Sequence, residues 1–149
     1  MKSDSLCLRF LSQLIRWGWA APSTLLGLSV GLVGCCCGGS VRRVGPTLEF
    51  WGALVTGLLR SRWIRARGMT LGHVILGVTA ADLDQVRHHE WVHVRQYERW
   101  GPFFLPAYLG ASAYLWITGQ HPYLDNPFER EAFAADALRQ KNGPPDSVP

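Results

Sequence analysis

Residues 89–93 read His-Glu-Trp-Val-His, an H-E-x-x-H pentapeptide. On a helix the two imidazoles, four residues apart, project from one face a single turn from each other. That is the separation at which two ring nitrogens can meet one Zn2+ at roughly 2.0–2.1 Å. Glu90 stands beside the first of them, where a carboxylate can take a proton from a metal-bound water. The pattern points to hydrolysis, with His89 and His93 as metal ligands and Glu90 as the catalytic base.

A hydrolytic zinc site needs a third protein ligand and an open position for water. Downstream, residues 124–138 read LDNPFEREAFAADAL, and the start of a helix is well marked there. Asn126 suits the N-cap, Pro127 the first helical position and Glu129 the third. Two carboxylates follow, Glu129 and Glu131. They are two residues apart and face nearly opposite ways, so only one can reach the metal. Each also has a purely structural use: Glu129 could close a capping box on Asn126, and Glu131 could be an exposed first-turn carboxylate. Asp136 is placed to orient a ligand imidazole from behind. His73, His88 and His121 read as structural residues. Tyr97, Tyr108, Tyr114 and Tyr123, with His73 and His121, could all donate to a developing oxyanion, and spacing favours none of them.

The pair of blocks HEWVH and EREAFAAD resembles the gluzincin arrangement of zinc metallopeptidases. Its second element is similar to the E-x-E-A-[DN] pattern of several such families, whose first Glu is a ligand. The resemblance implies a zincin-like domain in which His89, His93 and Glu129 bind Zn2+ and Glu90 is the general base. The longer blocks HEWVHVRQYERWGPFFLPAYL and NPFEREA are also similar to uncharacterised small bacterial membrane-associated proteins. The likeness covers residues 70–138. Phe133 stands where those families have Asp or Asn, and Arg87 and Arg95 are charged where the extended pattern is uncharged or apolar.

These residues need elements to hold them. Thr79 or Asp82 can cap a helix that runs through the motif, and Gly101-Pro102 stops it. Between 47 and 78, short apolar bursts predict strands near 47–51, 53–59 and 70–77, with a turn in the basic segment 60–68. The expected fold is α+β: a small zincin-like domain of short strands, the H-E-x-x-H helix and a following Glu-bearing helix, behind an N-terminal membrane helix.

Two long uncharged runs support the membrane part. Trp17 to Val41 is uncharged throughout, with Lys2, Arg9 and Arg16 before it and Arg42 and Arg43 after it. About 20 apolar residues suffice to cross a bilayer, so residues 17–38 are expected to form a transmembrane helix. The chain would then be single-pass in a bacterial inner membrane, with the Arg-rich C-terminal side cytoplasmic. The alternatives are an exported lipoprotein with a lipid-modified Cys35, suggested by Leu32-Val33-Gly34-Cys35, and a Gly-rich buried hairpin. The second run, Gly101 to His121, is broken by Pro and Gly. It reads as a helix near 103–117, in the core or partly in the membrane face.

Composition bounds what remains. The chain has 149 residues, 17% of them charged, against about 25% in an average soluble domain. Its 15 Lys and Arg are scattered among Trp and Leu, which suits a membrane surface and not nucleic acid. The four cysteines, three of them adjacent, form no C-x-x-C pair. The expected organisation is a basic segment and membrane helix over 1–43, a metal-binding domain over 44–139 and a disordered tail over 140–149. The expected cofactor is Zn2+, and the expected partners are the lipid bilayer and a peptide or protein substrate. Two rival readings stand beside the peptidase. One is a non-catalytic membrane protein whose zinc site is closed by a fourth protein ligand such as His73 or His121. The other is a metal-free, membrane-anchored binding module.

Overall fold

In the computed structural model residues 2–143 are described, with side chains from residue 17 onward save that of residue 142. The fold is mixed α and β. Helix α1 (Lys2–Cys36) leads into strands β1 (Ser40–Val44) and β2 (Thr47–Trp51), then a short helix α2 (Ala53–Leu59) and strands β3 (Gly68–Leu71) and β4 (Val74–Gly77). The long helix α3 (Ala80–Trp100), a 3-10 turn, α4 (Phe104–Ile117) and α5 (Pro127–Asn142) complete the chain. The sheet order is β1-β2-β4-β3, with β2 and β4 parallel and the outer pairings antiparallel.

Three expectations are corrected. Residues 53–59 are helical, because Val55 and Leu59, one turn apart, are the residues α2 buries, and Gly52 supplies the left-handed turn (φ 143°) that starts it. Residues 70–77 are not one strand. Gly72 (φ 62°) and His73 form a two-residue turn that pairs Leu71 with Val74. Residues 140–142, expected in a disordered tail, are helical, since α5 continues to Asn142; the rest of that expectation, residues 144–149, lies outside the described residues. Strand β1, which composition did not reveal, crosses the expected domain boundary at 43 and pairs with β2 along its length.

Helix α1 is a wall of the domain. Among its described side chains the buried residues are Ala20, Ser23, Gly27, Gly31 and Gly34, spaced three and four apart along one face. A Cβ at Gly27 would lie 2.7 Å from that of Val74, one at Gly31 2.6 Å from the Phe50 ring, and one at Gly34 3.1 Å from Val55 Cγ2. The glycines are therefore the seat on which the sheet and α2 rest, and Phe50, Val55 and Val74 belong to the main core cluster beneath. The opposite face, with Leu25, Leu26, Leu32 and Val33, is exposed. The Trp17–Cys36 segment is long and apolar enough to cross a membrane.

The motif helix is fixed by charge. Glu49 on β2 is wholly buried and accepts from Arg87 Nε (2.7 Å) on α3 and Arg42 Nε (2.7 Å) on β1. Burial alone would raise the Glu49 pKa, but the two guanidiniums outweigh it and hold it below the ordinary carboxylate range. Asp84 bonds both arginines at the exposed end. At its N-terminus Thr79, not Asp82, caps α3, accepting from Asp82 N at 3.0 Å.

Two outcomes follow in thermal unfolding of the full chain. Gly31→Leu drives a side chain into the Phe50 ring and lowers stability by about 1–3 kcal/mol, the usual cost of overpacking. Gly18→Leu, with nothing within 4 Å of its Cβ, changes little. Equal effects at both positions would show that the glycine stripe is not a packing surface. Arg87→Met leaves the buried Glu49 with Arg42 as its one guanidinium partner and costs up to about 3–5 kcal/mol, the range for breaking a buried pair.

Candidate metal centre

Helix α3 turns about 100° per residue, so Arg87 and Glu90 lie on its sheet-facing arc while His89, His93 and Gln96 lie on the far arc. Against that far arc packs α5. Asn126 caps α5 by accepting from Phe128 N (3.0 Å), and its amide donates to Tyr108 O and Ser112 Oγ on α4. The cap therefore fixes where α5 begins relative to α4, and Glu129 falls in its first turn, pointing inward and buried.

His89 Nε2 lies 3.1 Å from Glu129 Oε2, and His93 Nε2 lies 3.4 Å from Glu129 Oε1. One ligand atom from each of the three side chains lies within 4.8 Å of the others. Two ligands bound at about 2.05 Å and a tetrahedral angle stand about 3.3 Å apart, so these separations fit a single metal ion. The outer nitrogens are also committed. His89 Nδ1 faces Asp136 Oδ2 at 3.0 Å, and His93 Nδ1 faces Gln96 Oε1 at 2.8 Å. With each Nδ1 committed outward, Nε2 is the ring nitrogen left in both histidines for a metal ion beside Glu129.

Glu131 does not join them. It is exposed on the outer side of α5, where it accepts from Gln96 Nε2 (2.9 Å) and Arg99 (2.7 Å). Its part is indirect, since Gln96 is the residue that holds His93. Glu129 makes no capping box, because the Asn126 N–H goes to Tyr123 O. Phe133, standing in place of an acidic residue, packs its ring on His89 (5.2 Å between centroids), and Asp136 supplies the carboxylate instead. Arg95 is exposed, and Arg87 is the sheet anchor already described.

Glu90 lies behind the trio, buried, with Oε2 accepting from Thr70 Oγ1 on β3 at 2.7 Å. A Cβ at Gly68 would sit 2.9 Å from Glu90 Oε1, so the glycine there makes room for the carboxylate. Burial raises the Glu90 pKa, with the nearby imidazoles opposing it. Burial also works against charging His89, but Glu129 and Asp136 prevail and raise it to about 9. Glu129 is held well below the carboxylate range by His89, His93 and Tyr108 despite its burial. The Tyr108 hydroxyl donates to Glu129 Oε1 at 2.7 Å, and burial and Glu129 also raise Tyr123.

The other tyrosines and histidines are elsewhere. Tyr97 is buried against Phe104, and Tyr114 faces solvent. His73 stacks on Trp17 and reaches Glu98, and His121 Nδ1 accepts from Tyr123 N and Leu124 N in its own turn. Among the described residues no fourth His, Cys, Asp or Glu joins the group. No family model, curated protein or solved structure matches the chain. Sequence reasoning missed Thr70 and Glu49, which no local pattern marks. The i, i+3 spacing of His93 and Gln96 was the available sign of that hydrogen bond.

The histidines fix opposite pH responses. His89 gains its proton more readily in the fold than at its ordinary 6.5, so in metal-free protein its contribution to stability is complete below pH 6.5 and fades as pH rises through about 9. Metal binding must displace that proton, so affinity for added zinc rises over the same interval. Chemical denaturation of chelator-stripped protein and zinc titration, each between pH 6 and about 9.5, read the two trends. Parallel trends would mean that His89 is not a ligand.

Proposed function

We propose that the chain is a membrane-associated, gluzincin-like zinc peptidase that hydrolyses peptide bonds with Glu90 as general base. The observation that carries this reading is the convergence of His89 Nε2, His93 Nε2 and Glu129, with both outer nitrogens occupied and no fourth protein ligand beside them among the described residues. Two nitrogens and one carboxylate suit Zn2+, and a three-ligand set leaves a position for water, whereas a purely structural site is closed by four.

A bound Zn2+ supplies Lewis acidity, lowering the pKa of a bound water to about 7 and polarising a carbonyl. The chain's own groups do the rest. Asp136 and Gln96 keep the two imidazoles in the ligating tautomer and orientation. Glu90, raised by burial and steadied by Thr70, accepts a proton from the attacking water and passes it to the departing amine. Tyr123, beside Glu129 and 43% exposed, is the phenol at the site that is open to a substrate carbonyl oxygen. The apolar surface of α1 supports membrane attachment.

Elemental mass spectrometry of detergent-purified protein tests the metal, and a fluorogenic peptide library tests the chemistry. About one zinc per chain is expected, lost in His89→Ala and retained in Glu90→Gln. Cleavage should fall by roughly 10²–10⁴-fold in Glu90→Gln, the usual scale of a general base. Zinc retained without any Glu90-dependent cleavage would leave a structural site, and absence of zinc after loading would remove the metal altogether.

A further inference from the structure

A helix that crosses a bilayer alone is surrounded by lipid, and α1 is not. From Trp17, which stacks on His73, through Ala20 and Gly27 to Gly34 against Val55, one of its faces is covered by the domain. Those contacts extend about 26 Å along the axis, nearly the thickness of a bilayer's hydrocarbon core. An upright α1 would carry the sheet, the outer edges of β1 and β3 and the charges of α3 to hydrocarbon depth. There each unpaired backbone group or charge is strongly unfavourable.

The remaining face of α1 is uncharged from Trp17 to Cys36 and exposes Leu25, Leu26, Leu32 and Val33. It continues into a second apolar surface. Trp19 meets Phe103 (ring centroids 6.2 Å) and closes on Gly101, and from there α4 turns Leu109, Trp116 and Ile117 outward, the last two 72% and 77% exposed. At the other end of α1, Cys35 and Ile64 pack against one core cluster. Beside Ile64, Trp63 is 84% exposed within Arg60–Arg67, and none of the four arginines there has an ion-pair partner among the described residues. Arg60, Arg65 and Arg67 line a cleft of about 580 Å3 whose one acid, Asp82, is bonded to Thr79.

We propose that α1 lies in the plane of an anionic lipid bilayer, with its outward face and that of α4 immersed together and the arginines of segment 60–67 on the headgroups. Exposed aromatics beside unpaired cations are the surface such an interface selects. Charge complementarity favours anionic lipid over a second copy of the chain, which would bring like charges together. This holds whether or not the metal centre is catalytic. If it is, Tyr108 on the inner side of α4 places that centre one helix thickness from the lipid, and substrates would be chains at the membrane surface.

The test uses the full chain reconstituted in phosphatidylcholine–phosphatidylglycerol vesicles, with the four cysteines changed to serine and an environment-sensitive fluorophore on Leu25→Cys, Val33→Cys or Ile117→Cys. In-plane binding predicts blue-shifted emission at all three positions, quenched more by shallow than by deep doxyl lipids. It also predicts several-fold weaker capture by vesicles when Arg62 and Arg65 are changed to Glu. Strongest quenching of Leu25 by the deep quencher, with Ile117 in water, would mean a crossing helix and overturn the proposal. Unquenched labels with concentration-dependent self-association would mean a second copy covers the surface. Should the cysteine replacements disturb folding, quenching of the native tryptophans by brominated lipid in the unmodified chain separates the same outcomes.

Discussion

A helix presents two histidines to a partner only if it cannot roll about its axis, and the buried Glu49–Arg87 pair is what stops α3 from rolling. Arg87 lies about 160° around the helix from His89, so the ion pair on the sheet side and the imidazoles on the α5 side are set by one rotation. Glu90 with Thr70 is a second tie on the same side, nearly two turns closer to the end of α3 than the Arg42–Asp84 contacts. Buried ion pairs are weak sources of net stability, since desolvation offsets most of the attraction. Their value here is orientation: any other rotation would leave the buried Glu49 with Arg42 as its one guanidinium and Arg87 without its carboxylate in the sheet.

Orientation then propagates outward by hydrogen bonds. Gln96 spans from His93 to the α5 side, accepting from the ring and donating to Phe128 O and Glu131. Asp136 reaches back to His89 two turns beyond Glu129. Each imidazole is thus gripped at Nδ1 by a different element, and the carboxylate between them is gripped by Tyr108 on a third. The elevated His89 and depressed Glu129 are consequences of that enclosure, in which a carboxylate and two imidazoles share a site with little water to screen them.

What was legible in the sequence was what local periodicity encodes. The motif helix, its stop at Gly101, the start of α5 at Asn126-Pro127 and the helix of 104–117 all depend on spacing and capping within a few residues. The choice between Glu129 and Glu131 was beyond local reading, because it depends on the angle at which α5 meets α3, fixed by Asn126 bonding α4. Residues 53–59 misled for a related reason. Val55, Leu58 and Leu59 fit a short apolar strand as well as a helix, and only the packing of α2 over β4 and against α1 decides. The glycines of α1 were read by composition as features of a membrane helix, and their position against Phe50 and Val74 is a fact of tertiary structure.

That double use of α1 explains how a short chain builds an enclosed site. Four strands and a motif helix leave the sheet face around Phe50, Leu71 and Val74 without a cover, and α1 provides it through backbone glycines that let a helix lie close on a β-surface. The same helix sends Ala20 into the cluster of Tyr97 and Phe104 behind the histidines, and Thr24 to the His73 turn. The residues that make α1 look like an anchor are those facing away. Its inward residues are part of the domain's core, so the boundary between apolar outer surface and packed core runs along the length of this helix and not across its end.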